Sequence, residues 1–167
     1  MSPVTVRSYR PSDHSACRRL WGELTSQHNQ MYGAGSGDEG VGLEEYLTRL
    51  DLSGLWVADH ADDGVIGMVG LVMRGRGGEV EPVVVTASHR HKGVGRMLLR
   101  HVASEAKKRN MTSLTISPSS RNIDAIRSIH AAGYDVCSSI ELTLDLDRHT
   151  HEWLRDGLEL HELQFRS

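Results

Sequence analysis

A chain of 167 residues with 38% hydrophobic and 25% charged residues and a mean hydropathy of −0.37 has the profile of one globular domain, neither disordered nor embedded in a membrane. Its formal charge of −3, from 19 Lys and Arg against 22 Asp and Glu, argues against a nucleic-acid partner, and no apolar run approaches the roughly 18 residues that span a bilayer. The opening MSPVTVRSYRPSDHSA has no apolar leader core, which predicts a cytoplasmic protein, and Cys17 and Cys137 alone make no disulfide scaffold.

The stretch VTVRSY (4–9) alternates apolar and polar residues as a half-buried strand does. PSDHSACRRLWGELTSQH follows, with Ser12 or Asp13 at an N-cap position and Ala16, Leu20 and Leu24 on one helical face. The glycine-rich YGAGSGDEGVG (32–42) predicts a loop, and LEEYLTRLD a short amphipathic helix. Between 54 and 86 three apolar runs, GLWVADH, VIGMVGLVMR and EVEPVVVT, are separated by the turns ADDG and GRGG, which predicts an antiparallel meander. Pro82 has no N–H to give a ladder, so a bulge or an edge is expected there.

Residues 94–109 carry Val94, Leu98, Val102 and Ala106 as one helical stripe, and TSLTIS (112–117) is a buried strand candidate. RNIDAIRSIHAAG predicts a helix with Gly133 just past its end. The chain closes with SSIELTLDL (138–146) as a strand, HEWLR as a helical turn and LELHELQF (158–165) as a hairpin. The order β-α-α-β-β-β-α-β-α-β-β describes an α+β (α/β mixed-sheet) fold in a single domain, residues 1–167.

One stretch asks for a ligand. HRHKGVGRML (89–98) follows a valine strand and opens a helix. The unpaired N–H groups of a first helical turn and the helix dipole favour an anion there, Gly93 and Gly95 permit close approach, and Arg90, Lys92 and Arg96 add positive charge. The natural guest is a phosphate or pyrophosphate. The sequence has no G-x-x-x-x-G-K-[ST] loop, and Gly93-Val94-Gly95 does not extend to G-x-G-x-x-G.

Arg90-His91-Lys92-Gly93-Val94-Gly95 does resemble, in the form R-x-x-G-x-G, the acyl-CoA pyrophosphate loop of the GNAT superfamily of N-acetyltransferases. Its setting, VVVTASHRHKGVGRMLL, is similar to the family's extended pattern. RNIDAIRSIHAAGY resembles a second family segment, with Asn122, Ala125, Gly133 and Tyr134 at its positions. The resemblance runs to about residue 146 and implies a GNAT-like fold whose central mixed sheet is splayed at the fourth and fifth strands. It further implies acetyl-CoA as co-substrate. The backbone from His91 through Lys92, Gly93, Val94 and Gly95 to Arg96 would meet the pyrophosphate. Val83, Val84 and Val85 would pair with the pantetheine arm, and a backbone N–H near Val84 or Val85 would meet the oxyanion. Asn122 would cap its helix and add a polar contact to the pantetheine.

Acetyl transfer to an amine needs a base, because an ammonium must lose a proton before its nitrogen attacks a thioester. Glu79 and Glu81 share a face of a regular strand and are the candidates, Glu79 at the spacing of the base glutamate of histone-acetylating relatives. The tyrosine that protonates the departing thiolate in many relatives is replaced by Ile129. His130 turns away on the helix, so water, Ser119 or Ser120 would have to serve. This departure leaves a second reading open, an acyl-CoA-binding sensor or regulatory module of the same fold. His149, His151 and His161 lack the companions of a metal site, and none is expected. Asp38, Glu39, Glu44 and Glu45 make the loop before and into the second helix acidic, which suits a cationic amine acceptor. By family analogy, LELHELQF could pair two copies into a homodimer.

Overall fold

Residues 3–33, 42–50, 54–146, 153–155 and 157–167 are described by the computed structural model. The first strand, β1 (Val4–Ser8), pairs antiparallel with β2 (Leu55–His60), β2 with β3 (Gly64–Arg74), and β3 with β4 (Gly77–Val85). Strand β5 (Leu114–Thr115) lies parallel to β4, so the sheet runs β1-β2-β3-β4-β5. β2 and β3 read as nearly continuous apolar runs because helices cover both faces of the sheet.

On one face α1 (His14–Tyr32) and α2 (Leu43–Arg49) bury Cys17, Leu20, Leu43 and Tyr46 against Leu55, Val57, Met68 and Val84. On the other, α3 (Val94–Lys108) and α4 (Ile123–Ala131) bury Leu98, Leu99, Val102 and Ile129 against Trp56, Ala58, Val69 and Val80. The apolar stripe read in the sequence of α3 is the one that packs. Gly133 has φ +102° just past α4, the left-handed conformation expected of a residue at C′.

A bulge interrupts β3 and β4 where the proline stands. Val69 faces Val83 and Leu71 faces Val80, so Gly70 alone opposes Glu81 and Pro82. The extra residue changes which face each side chain takes: Val80, Val83 and Val85 join the α3 cluster, whereas Val84 joins the α1 and α2 cluster. Tyr46 Oη donates to the Glu81 carbonyl, and a Cβ on Gly70 would collide with both atoms. Glycine is therefore required at 70 by the close approach of the bulge.

Pairing of β4 with β5 stops after Gly78 with Leu114 and Glu79 with Thr115. Among the described residues, β4 has no strand on that side from Val80 onward, and the sheet is splayed between its fourth and fifth strands as expected.

The expected strand over 138–146 does not form. The segment has no ladder, and its alternating Ile140, Leu142, Leu144 and Leu146 are 53, 66, 82 and 88% exposed. Alternation supplies a strand's side chains but not its neighbour, and β5, only two residues long, offers no edge. The expected helical turn at 151–155 is absent at 153–155, while His151 and Glu152 lie outside the described residues. The closing hairpin does form: β6 (Leu158–Leu160) and β7 (Leu163–Phe165) make a separate two-stranded sheet. The element order agrees with the expectation as far as α4 and departs after it: the strand expected over 138–146 is absent, and the two final strands both come from 158–165. Among the described residues no helix is long and apolar enough to cross a membrane.

Candidate active site

The loop of residues 89–96 sits between the end of β4 and the start of α3. Ala87–His89 form a short 3-10 turn, His91 adopts φ +61°, and Gly93, the N-cap of α3, adopts φ +86°. Among the described residues the backbone N–H groups of His91 to Arg96 donate to no backbone carbonyl, while Met97 N–H begins the helical ladder on Gly93 O at 3.0 Å. These orphan donors lie at the positive end of the helix dipole. His91, Lys92, Gly93 and Arg96 are exposed. Gly93 is held to glycine by its φ, but Gly95 is not: a Cβ there meets only Val85 Cγ2, at 3.9 Å. The fold therefore has no need of a bare backbone at 95.

Arg90 turns inward. Its Nε donates to Val85 O at 2.9 Å, and its Nη2 lies 3.7 Å from Glu23 Oε2. Glu23, on α1, also accepts from Thr86 Oγ1 at 2.7 Å and from Ala87 N–H at 3.0 Å. One carboxylate thus fixes the strand end, the turn and the arginine. Sequence reasoning placed Arg90 beside the phosphate and did not find Glu23, which is 63 residues from Thr86 and carries no local signature. Lys92 and Arg96 are left as the outward-facing cations of the loop.

The open edge of β4 adjoins this loop. Thr86 N–H donates to Ile66 O at 2.8 Å, and antiparallel alternation then turns the N–H and C=O of Val85 and Val83 away from β3, toward the gap. Arg90 reaching Val85 O from that side agrees. Val84, by the same alternation, spends its backbone groups on β3, so the outward N–H groups are those of Val83 and Val85.

Glu79 and Glu81 share the α2 side of β4, but the structure distinguishes them. Glu79 lies where β5 pairs, its Oε2 2.9 Å from Arg74 Nε. Glu81 lies at the bulge, beyond the last β5 pair, exposed, and among the described residues its carboxylate has no hydrogen-bond or ion-pair partner. Both carboxylates push the buried Tyr46 phenol further up from its ordinary pKa, behind desolvation as the larger cause.

Asn122 is the N-cap of α4, its Oδ1 accepting from Ala125 N–H at 3.1 Å. Ile129, at the position of the family tyrosine, is buried in the core. His130 is exposed. Ser119 Oγ is 2.5 Å from Tyr32 Oη, and Arg121 stacks over the Tyr32 ring at 4.7 Å while donating to Met31 O and Ser167 O. The C-terminal end of α1, the approach to α4 and the last residue of the chain are joined there. Glu44 is drawn to His14 and Arg18, at 3.2 and 3.8 Å, which offsets its charge; Asp38 and Glu39 lie outside the described residues. So do His149 and His151, whereas His161 sits in the turn of the terminal hairpin. A different set, His60, Asp63 and His89, does converge, and nothing in its spacing marked it beforehand.

The chain matches the acetyltransferase (GNAT) family over residues 17–134. It is 26% identical over 160 residues to the streptothricin acetyltransferase of Streptomyces lavendulae, covering 81% of this chain and 84% of that protein. A GNAT-family acetyltransferase from Staphylococcus aureus Mu50 has a similar fold at a TM-score of 0.66 and 17% identity, over 78% of this chain and 84% of that one. So does an N-acetylglutamate synthase from Neisseria gonorrhoeae, solved with coenzyme A and N-acetyl-glutamate, at a TM-score of 0.57 and 19% identity over 77% of this chain and 28% of that one.

Proposed function

Because the chain belongs to the acetyltransferase (GNAT) family, we propose that it moves an acetyl group from acetyl-CoA to a primary amine by direct attack. The observation that carries this is the row of unpaired N–H groups at the start of α3, opened by Gly95, next to the unpaired edge of β4. Pyrophosphate binds the first and the pantetheine amides pair with the second, at Val83 and Val85. Lys92 and Arg96 add charge. Arg90 contributes by holding the loop to Val85 and Glu23, and Asn122 by capping α4.

Glu81 is the base in this reading. It stands exposed where β4 leaves β5, whereas Glu79 is occupied by Arg74. Glu81 takes the proton of the ammonium, directly or through a water; the amine nitrogen bonds to the thioester carbonyl carbon; and an outward N–H of Val83 or Val85 meets the developing oxyanion. As the carbonyl re-forms, the carbon–sulfur bond breaks, the now cationic nitrogen gives up its second proton through water, and CoA, leaving as a thiolate, takes that proton. Cys17 has no part, since burial pushes its thiol up to about 12.

The test is release of free CoA thiol from acetyl-CoA across a panel of amines, polyamines, amino acids, peptides and streptothricin, the last because a relative carries its name. We expect an acceptor-dependent signal. Glu81→Gln should lower kcat by roughly 10²-fold or more with acetyl-CoA affinity retained. The buried Ile129 favours the alternative of an acyl-CoA sensor. Silence across the panel with acetyl-CoA still bound would decide for it.

A further inference from the structure

We propose that His60, Asp63 and His89 form a binding site for a zinc-type divalent cation, tying the β2–β3 turn to the segment that leads into the cofactor loop. His60 ends β2, Asp63 lies in the turn before β3, and His89 ends the 3-10 turn that precedes Arg90. Asp63 Oδ2 lies 3.3 Å from His60 Nδ1 and 3.1 Å from His89 Nε2, and all three atoms fall within 4.8 Å of one another. Ligand atoms about 2.1 Å from a tetrahedral zinc stand about 3.4 Å apart, a spacing that the two Asp63 distances approach.

Neighbouring groups bear on the protons of both rings. His60 Nδ1 accepts from the N–H groups of Asp62 and Asp63, both at 3.2 Å, which assigns it a lone pair. Ser88 Oγ lies 3.0 Å from His89 Nδ1; a proton on that nitrogen, donated to the hydroxyl, leaves the lone pair on Nε2. The His60 Nδ1 lone pair is met by those two backbone N–H groups, which a cation would displace, while the His89 Nε2 lone pair faces the Asp63 carboxylate oxygen.

Both imidazoles are 14% exposed at the side chain and are set edge to face, with ring centroids 5.1 Å apart, so their directions are fixed by packing. Asp63, at 54%, leaves the site open to solvent for entry and for a fourth ligand from water. Thr86, Ser88, Lys92 and Arg19 border the adjoining groove of about 510 Å³, and Arg19 is anchored to Val65 O at 3.1 Å. Two nitrogens and one oxygen favour zinc over the all-oxygen cations calcium and magnesium.

The site is tested on tag-free protein freed of metal with a chelator, by titration calorimetry with zinc chloride and by thermal unfolding with and without it. We expect one equivalent bound per chain and a higher Tm in zinc. His89→Gln and Asp63→Ala should weaken binding by roughly tenfold or more and lose the Tm gain; His91→Ala, an exposed neighbour, should retain both. Asp63 is in an exposed turn, so its variant decides the matter even if His89→Gln fails to fold. No saturable uptake by the wild-type chain, or uptake unchanged by Asp63→Ala, would overturn the proposal. The readouts need no acetyl-CoA and do not depend on the acetyltransferase reading.

Discussion

The Glu23 carboxylate is 63 residues in sequence from the Thr86 hydroxyl and 64 from the Ala87 N–H that it accepts, and it faces Arg90 as well. Three groups at the mouth of the proposed cofactor loop therefore meet one side chain of α1. Replacing it by alanine strands an N–H and a guanidinium that were partly withdrawn from water, at about 1–2 kcal/mol. The loop would then hold its N–H groups in the binding geometry for only part of the time, and affinity falls by that fraction. Glu23→Ala should raise the Kd for acetyl-CoA about tenfold, and Glu23→Gln, which keeps one acceptor oxygen, should recover part of it. Calorimetry on both variants checks this; unaltered affinity in a folded Glu23→Ala protein would remove Glu23 from the site. Arg90 is the instructive contrast. Its charge beside two glycines suggested a phosphate ligand, yet its Nε is spent on Val85 O.

Within α3 the apolar stripe of Val94, Leu98, Val102 and Ala106 is interrupted by one polar ring, His101, edge to face with Trp56 at 5.5 Å. Its Nε2 is buried and has no hydrogen-bond partner among the described residues, and desolvation lowers its pKa below the ordinary 6.5. A histidine with a depressed folded pKa binds its proton more readily when unfolded, so stability is fully present above about 6.5 and declines as the pH falls below it. His101→Phe keeps the ring and deletes the proton. Urea midpoints at pH 7.5 and 5.5 should fall further apart for the wild-type chain than for His101→Phe; equal pH dependence would show that His101 does not titrate with unfolding. The same helix shows which elements were legible. A period of 3.6 residues over a long window is a local property, and so were the meander between Leu55 and Val85, the cap at Asn122 and the bulge at Pro82. The 138–146 segment has a strand's alternation but depends on a neighbour the fold does not supply. Glu23 with Thr86, and His60 and Asp63 with His89, meet only through the tertiary fold, so no spacing could announce them.

At the scale of the molecule, one sheet separates two apolar clusters, and the proposed cofactor site lies where β4 parts from β5, within reach of both. A ligand held by β4 and the start of α3 binds only the folded chain, so saturation raises stability by mass action, by about 2.7 kcal/mol at a hundredfold excess over Kd. For a domain of this length that is a Tm rise of roughly 5–10 °C. Gly95→Glu separates loop from fold. The position has no positive φ and room for a Cβ, and a carboxylate in the first turn of α3 suits the helix dipole, so the unliganded variant should melt at or above the wild-type temperature. With acetyl-CoA present its gain should vanish, because the new side chain fills the phosphate position with like charge. Gly93→Glu is a poorer probe, since φ +86° penalises any side chain and lowers the unliganded Tm by itself. Paired melting curves of the wild-type chain and Gly95→Glu therefore carry opposite signs for the two effects. A variant that keeps the full acetyl-CoA shift would place the co-substrate elsewhere, whatever its own stability.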